Sequence, residues 1–170
     1  RCARPHLERL AQQTQYTALL SCVEGSDIVV IDQRVSGTGI HVASEIGGRT
    51  PLHATSQGKL LLSQLPDATV RYLMNGQGMD PFTPHTIVDL ATLTEELERI
   101  RQWGYAIENG EYKIGLRSVS APVFDREGQM RYTLTVVGLF RHVASGEFEE
   151  AVDMVCAAAG KLSRELGYHA

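Results

Sequence analysis

Apolar positions along the chain repeat with two spacings, and the alternation between these spacings predicts an order of helices and strands. Where apolar residues recur three and four positions apart, the pattern is that of a helix burying one face. Such helices are predicted near residues 5–13, 55–65, 67–76, 89–103 and 145–166. Shorter segments rich in β-branched and aromatic residues predict strands. These segments lie near residues 16–23, 28–35, 40–43, 105–108, 117–124 and 130–140.

Capping and breaking residues stand where these elements begin and end. Asp67, Asp89 and Ser145 each precede a helical segment, and such side chains accept hydrogen bonds from the first amides of a helix. Gly104 follows the fourth helical segment, where glycine readily takes the left-handed conformation of a helix end. Turn residues at 24–27 and 125–128 separate neighbouring strands and predict two hairpins.

The chain of 170 residues shows no repeat and no linker, so we expect residues 1–170 to form a single domain. Strands joined by tight turns, followed or separated by helices, indicate the α+β class. We predict an antiparallel sheet of about six strands covered by helices.

Composition narrows the function. Apolar residues make up 43% and charged residues 21%, as in ordinary globular proteins, and the formal net charge is −4. An acidic chain without a basic run lacks the face that phosphate binding needs, so DNA binding is not expected of this chain itself. Three dispersed cysteines and no membrane-length apolar run favour a reduced, cytoplasmic protein with no membrane partner. The chain begins at Arg1 rather than Met, and we expect it to be part of a longer protein.

Thr55, Ser56 and Gln57 open a predicted helix directly after a loop. The first turn of a helix leaves amide groups without partners and carries partial positive charge, so it attracts a carboxylate. The alternative is that Thr55 or Ser56 serves only as a helix cap.

Small hydroxyl residues follow one face of the last two predicted strands. Ser118 and Ser120 alternate with apolar residues in one strand, and Thr133 and Thr135 do so in the next. Because side chains two apart share a face, these hydroxyls either floor a polar pocket or lie on a solvated surface. Glu108 stands near a strand end, where an acid is usually solvated. If it faces the pocket instead, it would accept hydrogen bonds from a ligand hydroxyl.

Signatures of enzymes and metal sites are missing from the sequence. There is no GxSxG, no phosphate-binding loop and no HExxH. A hydrolytic set of Ser118, His53 and Glu108 can be written, but no spacing selects it. His41 and Glu45 have metal-ligand spacing only on a helix, and their segment resembles strand and loop. We therefore expect no catalytic residue, no metal and no cofactor.

Several segments, in order, give the chain a family resemblance. They are residues 4–7 (RPHL), 51–59 (PLHATSQGK), 84–87 (PHTI), 104–128 (GYAIENGEYKIGLRSVSAPVFDREG) and 162–167 (LSRELG). Together they resemble the C-terminal effector-binding domain of the isocitrate-lyase-regulator (IclR) family of bacterial transcription factors. The resemblance implies a GAF-like or profilin-like curved sheet with an effector pocket on one face. It also implies a small organic acid as effector, a homodimer or tetramer, and DNA contact only through an N-terminal winged helix-turn-helix domain absent from this chain.

The resemblance assigns pocket roles to individual residues. In the family, backbone amides of the turn matching Thr55, Ser56 and Gln57 hold the effector's carboxylate. The other matching positions are Glu108, Ser118, Thr135 and Val137, with apolar walls at Val42 and Leu116.

The chain departs from the family pattern at several of these positions. Ser118 stands where a cysteine is common, and Val137 replaces a second hydroxyl residue. Ser56 and Gln57 replace a smaller Gly-Ala type pair. The pocket is therefore expected to differ in shape and to be less polar at one end, which argues against assuming glyoxylate or pyruvate as effector. A stand-alone GAF-like sensor with another output and, more remotely, a hydrolase stay open as alternatives.

Overall fold

The structure, a computed structural model, describes residues 1–37 and 41–170. The described residues form five helices and five strands in the predicted order. The helices are α1 (Ala3–Thr14), α2 (Ser56–Ser63), α3 (Asp67–Gln77), α4 (Leu90–Trp103) and α5 (Gly146–Glu165). The strands are β1 (Thr17–Glu24), β2 (Asp27–Arg34), β3 (Ala106–Asn109), β4 (Arg117–Phe124) and β5 (Met130–Gly138).

The strands form one sheet in the order β2-β1-β5-β4-β3, and every pairing is antiparallel. Both predicted hairpins, β1–β2 and β4–β5, are present. These observations confirm the α+β class with an open antiparallel sheet.

The strand predicted near residues 40–43 is wrong where the structure describes it, since residues 41–43 lie in no strand and residue 40 falls outside the described residues. Side chains hold this segment instead of a strand ladder. Gln33 Nε2 donates to the Ser44 carbonyl at 2.9 Å, and the Ser44 amide donates to Gln33 Oε1 at 3.0 Å. The amide of one side chain thus replaces the pair of backbone hydrogen bonds that a neighbouring strand would provide.

Most of the predicted helix boundaries are confirmed. Asp89 accepts from the Thr92 amide at 2.8 Å, Ser145 accepts from the Phe148 amide at 3.2 Å, and Gly104 ends α4 with φ of 80°. The predicted cap at Asp67 is wrong, because Pro66 is the N-cap and Asp67 is the first helical residue. There the Asp67 carboxylate still lies favourably at the positive end of the helix.

Helices pack on both faces of the sheet, and the period-two pattern of β4 decides which side chains meet them. Val119, Ala121 and Val123 enter a core with α1 and α5. The opposite face of the sheet packs against α2, with α3 and α4 behind it in a second core. All eight residues of α2 are buried. No helix in the described part of the chain is long and apolar enough to cross a membrane.

The hydroxyl face of β4 and β5 lies beneath α2. Ser120 and Thr133 are fully buried, and Thr135 and Ser118 are 2% and 5% exposed. The alternative that these hydroxyls lie on a solvated surface is therefore wrong. Burying a hydroxyl is costly unless it forms a hydrogen bond. On this sheet face some of the buried hydroxyls form one and another does not. Thr135 Oγ1 lies 2.6 Å from Ser120 Oγ, whereas Thr133 Oγ1 meets no hydrogen-bond partner among the described residues.

This difference predicts opposite effects of one substitution at two neighbouring sites. Thr133→Val removes a buried hydroxyl that has no described partner, so we expect it to raise the free energy of unfolding by about 1 kcal/mol. Thr135→Val breaks a buried hydrogen bond and should lower that free energy by about 1 kcal/mol. Urea denaturation of the two variants and the parent measures both values. Equal effects in the same direction would contradict the assignment of partners.

Candidate functional site

A cavity of about 360 Å³ lies where the first turn of α2 meets the sheet and residues 42–50. All nine residues predicted for the effector site line it: Val42, Thr55, Ser56, Gln57, Glu108, Leu116, Ser118, Thr135 and Val137. They come from α2, β3, β4, β5 and two loops, so the fold alone brings them together. That they contact a ligand stays a prediction.

Thr55 is the N-cap of α2, and its hydroxyl is fully engaged. It accepts from the Gly58 amide at 3.1 Å and donates to the Pro51 carbonyl at 2.8 Å. The capping role considered from sequence is therefore present, but it uses only the Gly58 amide. The amides of Ser56 and Gln57 meet no acceptor within the described residues. Two donors at the positive end of a buried helix thus remain available at the cavity.

Gly58 explains how the helix starts so close to the preceding loop. A Cβ at this position would lie 2.6 Å from the Leu52 Cα and 2.7 Å from the Leu52 carbonyl oxygen. These neighbours are backbone atoms and cannot move aside as a flexible side chain would. Only glycine allows the loop to pack against the first turn and leave the cavity at its end.

The cavity floor is a chain of four hydroxyls joined by three hydrogen bonds. Ser56 Oγ lies 2.7 Å from both Ser118 Oγ and Ser120 Oγ, and Ser120 Oγ lies 2.6 Å from Thr135 Oγ1. Four hydroxyl protons serve three bonds, so one proton remains to donate elsewhere. All four residues are buried; Ser118 and Thr135, at the two ends of the chain of hydroxyls, and Ser56 line the cavity, whereas Ser120 does not. An unused donor is least costly where a ligand or water can accept it, so the spare proton belongs at the cavity.

The Gln57 side chain is fixed on both ends of its carboxamide. Ser21 Oγ donates to Gln57 Oε1 at 2.7 Å, and Gln57 Nε2 donates to Thr50 Oγ1 at 3.0 Å. This arrangement orients the first turn of α2 on β1. Ser21 and Thr50 were not found from the sequence, because neither stands in a motif and their partner is 36 and 7 residues away.

Glu108 is 5% exposed, so the solvated alternative is wrong. It is paired across the sheet with Ser118, and its Oε2 accepts from the Gly110 amide at 3.2 Å. Burial, followed by the negative charge of Glu111, raises the pKa of Glu108 to about 7, against an opposing contribution from Lys59. Near neutral pH this carboxyl therefore exists in both protonation states.

Lys59, one turn into α2, is buried beneath the cavity wall. Its Nζ donates to the Ile107 carbonyl at 2.7 Å and to Glu111 Oε1 at 2.8 Å, and lies 3.4 Å from Glu96 Oε1. A lysine in a helix usually reaches solvent, so this role could not be predicted from the sequence. The ammonium ties α2 to β3, to α4 and to the loop at 110–116, which carries Tyr112, Lys113 and Leu116 to the cavity.

Aliphatic side chains form the remaining wall, and cations lie at the opening. The apolar lining residues are Leu19, Val30, Val42, Leu116 and Val137. Arg49 and Lys113 line the outer part of the cavity and are exposed to solvent. A ligand with an anionic end and an apolar body would match this division between the floor, the wall and the opening.

The hydrolytic set considered from sequence is not assembled. His53 Nε2 contacts the Asp80 carbonyl at 2.9 Å, and the contact partner of Ser118 is Ser56 rather than a histidine. Within the described ranges, no group of three or more His, Cys, Asp or Glu side chains could hold a metal ion.

A second and larger cavity, about 490 Å³, lies against α5 and β4. Its wall includes Ala121, Pro122, Ala159 and Gly160. Arg164 and His169 also line this cavity, but its described lining contains no helix N-terminus and no buried carboxylate. The cavity at α2 combines both of these groups.

Comparison with known proteins agrees with this architecture. The family described as "Bacterial transcriptional regulator IclR C-terminal" matches residues 1–164. The HTH-type transcriptional repressor AllR of Escherichia coli K12 is 28% identical over 168 residues, which are 99% of this chain and 62% of AllR. The HTH-type transcriptional regulator BhcR of Paracoccus denitrificans is 32% identical over 95% of this chain and 58% of BhcR.

A solved structure gives the same answer. The IclR protein of Thermotoga maritima superposes with a TM-score of 0.89 at 32% identity, covering 98% of this chain and 68% of that protein. The chain thus spans less than two thirds of the length of AllR and BhcR. It belongs to the IclR family of bacterial transcriptional regulators and corresponds to the family's C-terminal, effector-binding domain.

Proposed function

We propose that the cavity at α2 binds the carboxylate of a small organic acid. The observation that carries the proposal is the pair of amides at Ser56 and Gln57, which lack acceptors within the described residues and lie at the buried start of a helix. Anions bind at helix N-termini because the amides point at them and the helix dipole favours negative charge. The spare proton of the hydroxyl chain adds a further donor from Ser118 or Thr135.

The rest of the acid would lie along the aliphatic wall, with Glu108 beside it. The cavity volume of about 360 Å³ is several times that of a two-carbon acid. Val137 also presents a methyl surface where the family pattern has a hydroxyl. Both features support an acid with an apolar body rather than glyoxylate or pyruvate.

In the complete regulator, this binding would control DNA contact by a winged helix-turn-helix domain N-terminal to the present chain. The relatives AllR and BhcR are named as HTH-type regulators and are longer than this chain, which supports the arrangement. The net charge of −4 supports DNA contact through other residues. We place the regulator in the cytoplasm. An effector acts only if it binds one arrangement of the regulator more tightly than another, so the mechanism is a population shift.

We further propose that the domain is not an enzyme. Among the described residues no histidine lies within hydrogen-bond distance of Ser118, whose hydroxyl contacts Ser56 Oγ at 2.7 Å. An activated serine needs an adjacent base that is itself oriented by a third group. Hydrolysis of p-nitrophenyl esters should therefore be the same for the parent and for Ser118→Ala. A rate that Ser118→Ala abolishes would restore the hydrolase alternative.

The carboxylate proposal predicts that acids and amides respond differently to loss of the Ser56 amide. The probes are acetate, hexanoate, succinate and benzoate with their matching amides, tested by thermal shift. An acid that binds should raise the melting temperature, since about 2.7 kcal/mol of stability is gained at a hundredfold excess over the dissociation constant. Ser56→Pro removes the amide at a helix position where proline is tolerated. It should weaken binding of that acid about tenfold to a hundredfold, the value of a hydrogen bond to a charged group.

Ser56→Ala is the matched control, because Ser56 is also the centre of the hydroxyl chain. It removes the same hydroxyl as Ser56→Pro but keeps the amide. We expect it to lower the melting temperature while keeping the preference for acid over amide. If Ser56→Pro kept the same preference as Ser56→Ala, the carboxylate would not lie at this amide.

The proposed assembly of the regulator is a homodimer or tetramer formed through this domain. Several large apolar side chains remain exposed, among them Tyr72, Ile114 and Leu139 at 78%, 77% and 53%. Apolar surface of this kind is commonly buried between subunits. Sedimentation equilibrium at tens of micromolar should show self-association of the chain. A monomer throughout that range would contradict assembly through this domain.

A further inference from the structure

Around and behind the part of the cavity wall formed by Glu108, carboxylates outnumber cations. Lys59 Nζ contacts Glu111 at 2.8 Å and Glu96 at 3.4 Å, and Arg99 contacts Glu96 at 2.7 Å. These two cations and two carboxylates balance one another. Glu108 is close enough to feel the charges of Glu111 and Lys59, but it has no cation within salt-bridge distance among the described residues.

Of the three carboxyls Glu96, Glu108 and Glu111, Glu108 is therefore the one that takes up a proton at the lowest free-energy cost. A buried carboxylate without a cation is costly, and such a group takes up a proton where its hydrogen bonds, here from the Gly110 and Tyr112 amides, do not outweigh the effect of burial. Glu111 is already engaged by Lys59 and by the Asn109 amide, at 2.9 Å. Glu96 is held by Lys59 and Arg99. Glu108 alone combines deep burial, a negative neighbour and a place on the cavity surface.

We propose that binding of an organic anion in this cavity is coupled to uptake of one proton by the Glu108 carboxylate. The proposal rests on the proposed function and adds that anion binding depends on the protonation state of Glu108. A bound anion and an ionised Glu108 would lie in the same 360 Å³ cavity and repel each other. A protonated Glu108 removes this repulsion and becomes a hydrogen-bond donor toward the ligand.

The charged groups around Glu108 set the direction of the coupling. Glu111 raises its proton affinity and Lys59 lowers it, while the solvent-exposed Arg49, Lys113 and Glu45 line the outer cavity. Arg49 is paired with Asp27 at 3.0 Å, which weakens its field at Glu108. A bound anion adds negative charge nearby, so the pKa of Glu108, about 7 in the free chain, should rise further on binding.

Proton uptake makes binding depend on pH in a defined sense. Below the midpoint Glu108 already carries its proton, so affinity for the anion is constant. Between the midpoint of the free chain and the higher midpoint of the complex, one proton must be taken up for each anion bound, and affinity should fall by up to about tenfold per pH unit. A neutral amide of the same shape brings no charge, so its affinity should change little with pH.

In the chain without ligand, Glu108 should also make the free energy of unfolding depend on pH. The pKa of Glu108 is raised from 4.5 to about 7 by folding, so between these values the folded state holds a proton that the unfolded state has lost. This contribution to stability is fully present below pH 4.5 and is lost as the pH rises to about 7. Glu108→Gln should remove that part of the pH dependence.

The test is a carboxyl carbon NMR titration of the chain with ¹³C-labelled glutamate, from pH 4 to pH 9. Glu108→Gln assigns the signal by its loss. The probes are benzoate and benzamide at equal concentration, and the amide signals of Ser56 and Gln57 report whether the cavity is occupied. The expected result is a midpoint near 7 for Glu108 in the free chain, moved upward by benzoate and not by benzamide.

Glu111→Gln provides a directional check, with Glu98→Gln on the exposed surface of α4 as its control. Removing the Glu111 charge should lower the midpoint, since that charge raises the pKa of Glu108. It also leaves Lys59 without its 2.8 Å partner, so its attraction for ionised Glu108 grows. Glu98→Gln should leave the midpoint unchanged. A melting curve at pH 5.5 verifies that each variant is folded.

The outcomes separate this proposal from the one on which it rests. A Glu108 midpoint near 4.5, or a midpoint near 7 that benzoate leaves in place while the Ser56 and Gln57 amides respond, would overturn the proton coupling alone. If those amides responded to none of the four acids of the thermal-shift panel, carboxylate binding itself would be wrong. The coupling would then be overturned with it.

Discussion

The burial of α2 against the hydroxyl face of the sheet is the constraint on which the site depends. A helix that has no exposed residue must satisfy its polar side chains internally. Ser56 does so with Ser118 and Ser120, and Gln57 does so with Ser21 and Thr50. The side chains of the first turn are thereby committed to structure. Its amides, which point along the helix axis, are the groups that remain for a ligand.

The burial of α2 also connects its first turn to the residues around Glu108. Lys59 is carried into the interior by α2, and its ammonium meets acceptors from β3, α4 and the loop at 110–116. A displacement of the first turn of α2 would therefore strain the ion pairs beneath Glu108. This connection offers a physical route by which an occupied cavity could change the packing of helices at some distance from it, since packed interiors respond as discrete arrangements.

The sequence predicted much of the site, for reasons that can be named. The alternation of hydroxyl and apolar residues in β4 and β5 left a pocket floor or a solvated surface, and the helix start at Thr55 left an anion site or a simple cap. The resemblance to a family favoured the pocket in both cases and added Val42, Leu116 and Val137. Lys59, Ser21 and Thr50 were missed because their roles come from contacts across distant parts of the chain. The strand near 40–43 was wrong because Gln33, a side chain, supplies the bonds that a strand pairing would.

Carboxylate binding at the start of α2 is best tested by a crystal structure of the chain with the acid that gives the largest thermal shift. We expect one carboxylate oxygen within hydrogen-bond distance of both the Ser56 and Gln57 amides, with the apolar part of the acid against Val137 and Leu116. The Ser118 or Thr135 hydroxyl should donate to the same carboxylate. A carboxylate bound instead by Arg49 and Lys113 at the opening, or an acid in the cavity against α5, would contradict binding at these amides.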